Sequence, residues 1–261
     1  MIIVKFGGHA MKDENGLFSS AILNALATGE KVVVVHGGGP QIDAALKAKN
    51  IESAFVGGFR YTTPEIFTVV EQVLSGEVGP MVAKTLVQAG VNAQAVSGRT
   101  LPTLIAKQKK KLVDGTQVDL GQVGDVIKVD TSQLNELVSR GIVPVLSPLA
   151  TDLDTGEGLN INADLAAAAI AGALDAQFLI IMTDVTGIYR NWPDKTSLID
   201  SITQSELESI KSTFAEGMAP KVQATLDAIA AGAKAVRIVD GTDPESFAAA
   251  LQGTGGTLVT A

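Results

Sequence analysis

Cysteine is absent from this 261-residue chain, and histidine occurs twice, as His9 and His36. The first absence excludes disulfides, a thiol nucleophile and a cysteine metal site; the second excludes a multi-histidine metal site. No apolar run approaches the roughly 18 residues of a membrane span. Ala163 to Ala173 is apolar but too short, and reads as a core helix. The chain opens directly on Ile2-Ile3-Val4-Lys5-Phe6, without a basic stretch and an apolar one behind it, so no signal peptide is expected. A basic footprint is lacking as well. The net charge of −8 argues against general nucleic-acid binding and fits a soluble cytoplasmic protein. Two nucleotide signatures are missing, the Walker loop Gly-x-x-x-x-Gly-Lys-Ser/Thr and Gly-x-Gly-x-x-Gly. What is present, at 46% hydrophobic residues, suits one large α/β domain or two small lobes.

The chain is organised around Lys31-Val32-Val33-Val34-Val35-His36-Gly37-Gly38-Gly39-Pro40. Four valines without alternation read as a strand buried on both faces. Three glycines then lead into an amphipathic run from Gln41 to Lys49. A glycine turn between strand and helix lets backbone N–H groups converge on an anion, with the helix N-terminus adding positive potential. The plainer alternative is a connection that needs unusual backbone angles and binds nothing. Ile2 to Phe6, Gly7-Gly8 and a helix from about Glu14 to Thr28 form a second such unit. Lys5, at the end of a buried strand, is costly unless an anion answers it. That anion is either a structural carboxylate or a phosphate lying over Gly7-Gly8.

Farther along, Ala54 to Tyr61 reads as a strand pair or flap carrying Arg60, and Thr62-Thr63-Pro64-Glu65 opens a helix toward Val87. Gly79-Pro80 predicts a kink or break in that helix. A hairpin is expected over Thr103 to Val118, turning at Asp114-Gly115, with Lys107-Gln108-Lys109-Lys110-Lys111 as a solvated charge run or a docking patch. Strands at 92–96, 126–129, 142–146, 178–182, 235–239 and 255–259 alternate with helices at 132–140, 164–174, 203–213, 217–231 and 245–251. This recurrence predicts an α/β fold with a mainly parallel sheet and helices on both faces. A second hairpin at 149–159 leads into Asn160-Ile161-Asn162-Ala163-Asp164. Helix capping explains Asn162 or Asp164 but not Asn160 as well. Thr183 to Tyr189 follows a strand at the end where ligands of open parallel sheets sit. Lys221, in the first turn of its helix, opposes the dipole and so points to an anion.

Two lysines on separate elements, three glycine turns and a carboxylate, with no cysteine or histidine nucleophile, fit phosphoryl transfer. That chemistry asks the protein to position two anions and neutralise their charge. At this point the chain resembles the amino acid kinase family. The matching stretches are Val4-Lys5-Phe6-Gly7-Gly8, His36-Gly37-Gly38-Gly39, Gly58-Phe59-Arg60-Tyr61-Thr62, Asn160-Ile161-Asn162-Ala163-Asp164, Thr183-Asp184-Val185-Thr186-Gly187, Gly217-Met218-Ala219-Pro220-Lys221 and Gly255-Gly256-Thr257-Leu258-Val259.

The resemblance implies a three-layer αβα sandwich about a central, mainly parallel sheet. An N-terminal lobe over about 1–146 would bind the amino-acid substrate, and a C-terminal lobe over about 147–261 would bind ATP. The Arg60 and Asn160 stretches point to the branch that phosphorylates the side-chain carboxylate of N-acetyl-L-glutamate. By position, Lys5 and Lys221 would stabilise the transition state, and Asp164 would hold them. Gly8 and Gly38 would donate N–H groups to the transferring phosphoryl. Gly38, Gly39, Arg60 and Asn160 would hold the acetylated amino acid, with Arg60 on its α-carboxylate. Gly7, Gly8, Asp184, Val185, Thr186, Gly187, Ile188, Tyr189 and Met218 would form the nucleotide site. Mg²⁺ would ride mainly on the phosphates, without a protein metal site.

Departures from the family pattern are Gly79-Pro80 in the long helix and Arg99-Thr100-Leu101-Pro102 after Ser97-Gly98. Two rival readings accompany the resemblance. One is a kinase of a carboxylate on a small acidic carrier protein, docked on Lys107 to Lys111. The other is a catalytically silent amino-acid-binding regulator, against which the retention of Lys5, Asp164 and Lys221 stands. No helical extension precedes the first strand, so a homodimer without arginine feedback is expected. Light scattering and an arginine titration check this: a dimer with unchanged activity is expected, and a hexamer or inhibition contradicts it.

Overall fold

The computed structural model describes residues 1–7, 13, 16–100, 103–112, 115–214, 218–230 and 232–261. The first half contains β1 (Ile2–Phe6), α1 (Leu17–Ala27), β2 (Val32–His36), α2 (Gly39–Ala48), β3 (Phe55–Val56), β4 (Phe59–Arg60) and α3 (Pro64–Glu71). A π-helical turn over Gln72–Val78 joins α3 to α4 (Gly79–Gln88), and β5 (Ala93–Ser97), β6 (Leu104–Gln108), β7 (Gly124–Val129) and α5 (Ser132–Ser139) follow. Then come β8 (Val143–Ser147), β9 (Leu149–Asp152), β10 (Gly158–Asn160), α6 (Ala163–Ala173) and β11 (Phe178–Thr183). The chain closes with β12 (Ser201–Thr203), α7 (Gln204–Ile210), α8 (Ala219–Ala230), β13 (Ala235–Asp240), α9 (Pro244–Leu251) and β14 (Thr257–Thr260).

Among the described residues the main sheet has eight strands in the order β12-β14-β13-β11-β1-β2-β8-β5. Its neighbours run parallel except β13 and β14. The strand β1 lies between β2 and β11, with Lys5 opposite Val35 on one side and Ile181 on the other. Strand side chains alternate between faces. Ile2, Val4 and Phe6 therefore join one apolar layer, under α1, α2, α3, α4 and α9. Ile3 joins the opposite layer, under α5, α6, α7 and α8. Two apolar layers on one sheet make the αβα sandwich. Lys5 shares the face of Ile3, which aims it at α6 and α8. Helix α6 carries Ala166, Ala167, Ala168 and Ala171, all buried, so its backbone approaches the sheet closely.

The expected interruption at Gly79-Pro80 takes the form of a π-helical turn rather than a break. The Gly79 N–H reaches back to the Leu74 carbonyl, and Pro80 falls in the first turn of α4. A wider turn makes room for the pyrrolidine ring at a position where no N–H is required. The strand at 126–129 is present as part of β7, but it lies outside the main sheet. It pairs antiparallel with β6 in a second sheet ordered β10-β9-β6-β7. After Gly124 its residues are half-buried or exposed instead of being buried on both faces. Asp114, at the tip of the expected hairpin, lies outside the described residues; Lys111 and Gln117 bridge antiparallel beside it.

Candidate active site

The carboxyl ends of β1, β2, β8 and β11 share one edge of the sheet, and the candidate residues gather there. Lys5, Asp164, Ile181, Thr183, Lys221, Thr225 and Ile238 line a small cavity between the sheet and helices α6 and α8. The Lys5 ammonium lies 3.2 Å from Asp164 Oδ1 and 3.4 Å from the Met182 carbonyl. Asp164 Oδ1 is buried and accepts no hydrogen bond within the described residues, so this pair is held by charge rather than by an aligned bond. A buried oxygen so placed is costly in isolation. It sits in the first turn of α6, where the helix dipole favours a carboxylate. Lys221, in the first turns of α8, forms an ion pair of 3.0 Å with Asp184. Partial burial pushes the Asp184 carboxyl up, but Lys221 and the Thr183 hydroxyl together hold it below its ordinary value.

Gly7 follows β1 with Lys5 folded over it. A Cβ there would stand 3.2 Å from both Cε and Nζ of Lys5. Gly8 and Gly217 lie outside the described residues. Next to this cavity is a cleft of about 210 Å³, lined by Gly37, Gly38, Gly39, Leu74, Arg60 and Asn160, with Phe55, Phe59 and Pro148 among its walls. Helix α2 begins here with no side-chain cap. The N–H groups of its first turn are thus available to an anion. Gly39 faces open space, whereas a Cβ at Gly38 would meet Leu74 Cδ2 at 2.5 Å. A side chain at 38 would therefore require Leu74 to move.

Arg60 is buried, and its guanidinium is already engaged. Nη1 bonds Asp43 at 2.7 Å and Ser53 Oγ at 2.5 Å, and the group lies 4.6 Å from the centre of the Phe55 ring. Asn160 lines the cleft and donates to Thr62 Oγ1 at 3.3 Å. Asn162 does the capping: its Oδ1 accepts from the N–H groups of Asp164 at 2.8 Å and Leu165 at 3.2 Å. The nucleotide-side expectations divide. Val185 and Thr186 are partly exposed beside Asp184, while Gly187, Ile188, Tyr189 and Met218 are buried. The Ile188 N–H bonds Thr257 Oγ1 at 2.8 Å, so Ile188 anchors the loop to β14. Within the lysine run, Lys107 and Lys109 are ion-paired. Lys109 is buried, 2.8 Å from Asp125 and 4.7 Å from the Phe59 ring centre, and Lys107 pairs with Asp154. Leu74, Pro148 and Phe59 were missing from the sequence-based site. Apolar walls supplied by distant elements leave no local signal.

Two lysine–carboxylate pairs thus stand at the carboxyl edge of a mainly parallel sheet, beside a glycine-lined cleft. The model of the amino acid kinase family matches residues 1–240, and the chain belongs to that family. It is 42% identical over 258 residues to the acetylglutamate kinase of Corynebacterium jeikeium, covering 98% of this chain and 81% of that one. It is 43% identical to the acetylglutamate kinase of Paenarthrobacter aurescens, covering 94% and 81%. Among solved structures, smu.665 from Streptococcus mutans is similar with TM-score 0.81 and 31% identity over 99% of this chain and 98% of that one. The carbamate kinase of Giardia shares the fold at TM-score 0.72 and 19% identity, covering 99% and 98%.

Gly38→Ala is expected to force Leu74 aside and destabilise the protein by about 1–3 kcal/mol. Leu74→Ala in the same chain removes the clash. Urea unfolding of the two single variants and the double variant measures the coupling. Non-additive, partly restored stability is expected; strictly additive losses contradict the contact.

Proposed function

We infer that the protein transfers the γ-phosphoryl group of ATP to the side-chain carboxylate of N-acetyl-L-glutamate, a step of arginine biosynthesis. The observation that carries this reading is the adjacency of the Lys5–Asp164–Lys221 cavity to the cleft holding Gly38, Gly39, Arg60 and Asn160. The acetylglutamate kinases that match nearly the whole chain support the same reaction. A carboxylate oxygen attacks the γ-phosphorus, and the bond to the β,γ-bridging oxygen breaks. ADP leaves with that electron pair, and an acyl phosphate forms with no net proton transfer. Lys5 meets the negative charge from the sheet and Lys221 from α8, where a low-dielectric pocket makes both cations worth more than in water.

In this reading Asp164 keeps the Lys5 ammonium in the cavity. The first-turn N–H groups of α2 hold the acceptor side. Arg60 offers the part of its guanidinium that Asp43 and Ser53 leave over to the α-carboxylate, and Asn160 takes the acetylamino group. ATP lies over Asp184, Val185 and Thr186. Among the described residues no cluster of three or more His, Cys, Asp or Glu side chains is placed to hold a metal. Mg²⁺ enters on the ATP phosphates as part of the substrate. The protein acts as a homodimer, for which Met81 and Val87 on α4 supply exposed apolar side chains. We place it in the cytoplasm. Among the described residues no helix is long and apolar enough to cross a membrane.

The test is ATP- and Mg²⁺-dependent acyl phosphate formation, trapped as a hydroxamate, with N-acetyl-L-glutamate beside glutamate, aspartate and N-acetyl-α-aminoadipate. Activity confined to N-acetyl-L-glutamate is expected, with Lys221→Ala lowering kcat by about 10²–10³-fold. Activity on another acceptor, or none at all, overturns the assignment.

A further inference from the structure

His36 takes no part in the transfer above, yet it is fully buried at the end of β2, one residue before the glycine turn. Its ring has a polar partner on each side. Nδ1 is 2.7 Å from the Gly37 carbonyl, and Nε2 is 2.8 Å from Ser147 Oγ. Ser147 ends β8, and its Oγ lies 3.0 Å from the Leu74 carbonyl in the π-helical turn. The protons can be assigned. A carbonyl only accepts, so Nδ1 carries hydrogen toward Gly37. Burial pushes His36 from the usual 6.5 down to about 4, against the opposing pull of the Gly37 carbonyl, so the ring is neutral at pH 7. Nε2 is then an acceptor facing the Ser147 hydroxyl, which also lies within donating distance of the Leu74 carbonyl. That carbonyl accepts from the Gly79 N–H as well.

All three elements so joined end in the substrate cleft. Gly37 continues into its glycine floor, Pro148 follows Ser147 into its wall, and the Leu74 side chain lines it. Gly79 adds an independent sign. Its φ of −56° is helical and open to any residue. A Cβ there, however, would stand 3.0 Å from His36 Nε2 and 3.2 Å from Ser147 Oγ. A side chain at this position, where the chain departs from the family pattern, would crowd the hydrogen-bonded pair.

We propose that His36, tied to Ser147, is a positioning residue that fixes the Gly37–Gly39 turn, and with it the N–H groups that receive the carboxylate substrate. The proposal deepens the function given above and rests on it for the identity of the ligand. Asparagine at 36 places an amide nitrogen where Nδ1 stands and keeps the donor to Gly37. Glutamine reaches the Nε2 side and loses that donor.

Three readouts are made on the whole protein: calorimetric affinity for N-acetyl-L-glutamate without nucleotide, KM for ATP, and amide hydrogen exchange at residues 37–39. His36→Gln is expected to weaken N-acetyl-L-glutamate binding by about tenfold or more, the worth of one hydrogen bond. The KM for ATP should stay within about twofold, and exchange at Gly38 and Gly39 should accelerate. His36→Asn, which keeps the donor to Gly37 but gives up the Ser147 bond, should lose less affinity than His36→Gln. Should His36→Gln fail to fold, Gly79→Ala carries the test, with the same selective loss expected. Equal losses in His36→Asn and His36→Gln accompanied by a matching rise in the KM for ATP would overturn the proposal, as would no change in any variant. If the wild-type protein does not bind N-acetyl-L-glutamate, the functional assignment fails. The relay is then judged by the exchange rates alone, where equal rates in wild type and His36→Gln overturn it.

Discussion

A lysine ammonium on the middle strand of a parallel sheet is the constraint on which the rest depends. β1 is flanked on both sides, and its residues other than Lys5 are buried or nearly so. Burying an unpaired ammonium there costs several kcal/mol. Alternation along the strand sends Lys5 to the face covered by α6 and α8. The first turn of α6 supplies Asp164 on that face, and the alanines behind it let the helix approach closely enough for the pair to form. The same geometry leaves the ammonium at the carboxyl edge of the sheet, where loops rather than side-chain packing determine what lies in front of it. A charge that would be a liability in the core becomes usable at its border.

In the proposed reaction the second anion is met by backbone N–H groups together with Arg60. The glycine turn after β2 opens α2 without a side-chain cap, and Gly38 lets Leu74 close the floor of the cleft without blocking it. Arg60 adds a guanidinium whose own partner, Asp43, fixes it in place and offsets part of its charge. The proposed reaction would then bring two anions together with the lysines on the phosphoryl side and N–H dipoles plus Arg60 on the acceptor side. That division suits a transition state in which negative charge is spread over the transferring group.

Much of this was legible in the sequence because burial on both faces writes itself as uninterrupted apolar runs. Val32 to Val35, Ile2 to Val4 and Leu179 to Met182 all lie in the main sheet. The glycine turns and Asn160 to Asp164 were legible as exceptions that a plain fold does not need. Contacts set by distant partners were not legible. Nothing near Arg60 announces Asp43 as its carboxylate, and the run from Lys107 to Lys111 reads as solvated although Lys109 is buried between Phe59 and Asp125. Pro80 predicts an interruption, yet the sequence does not tell that one π-helical turn absorbs it. Nor does it tell that 126–129 joins the smaller antiparallel sheet, because a short strand carries no mark of its partner.

The central claim is that Asp164 holds the Lys5 ammonium where the phosphoryl group passes. Steady-state kinetics of Asp164→Asn, which keeps the shape and removes the charge, tests it most directly. A fall in kcat of about 10²-fold or more, with the KM for N-acetyl-L-glutamate nearly unchanged, is the expected result. An unaltered kcat would contradict the account, since Lys5 would then keep its place without the carboxylate.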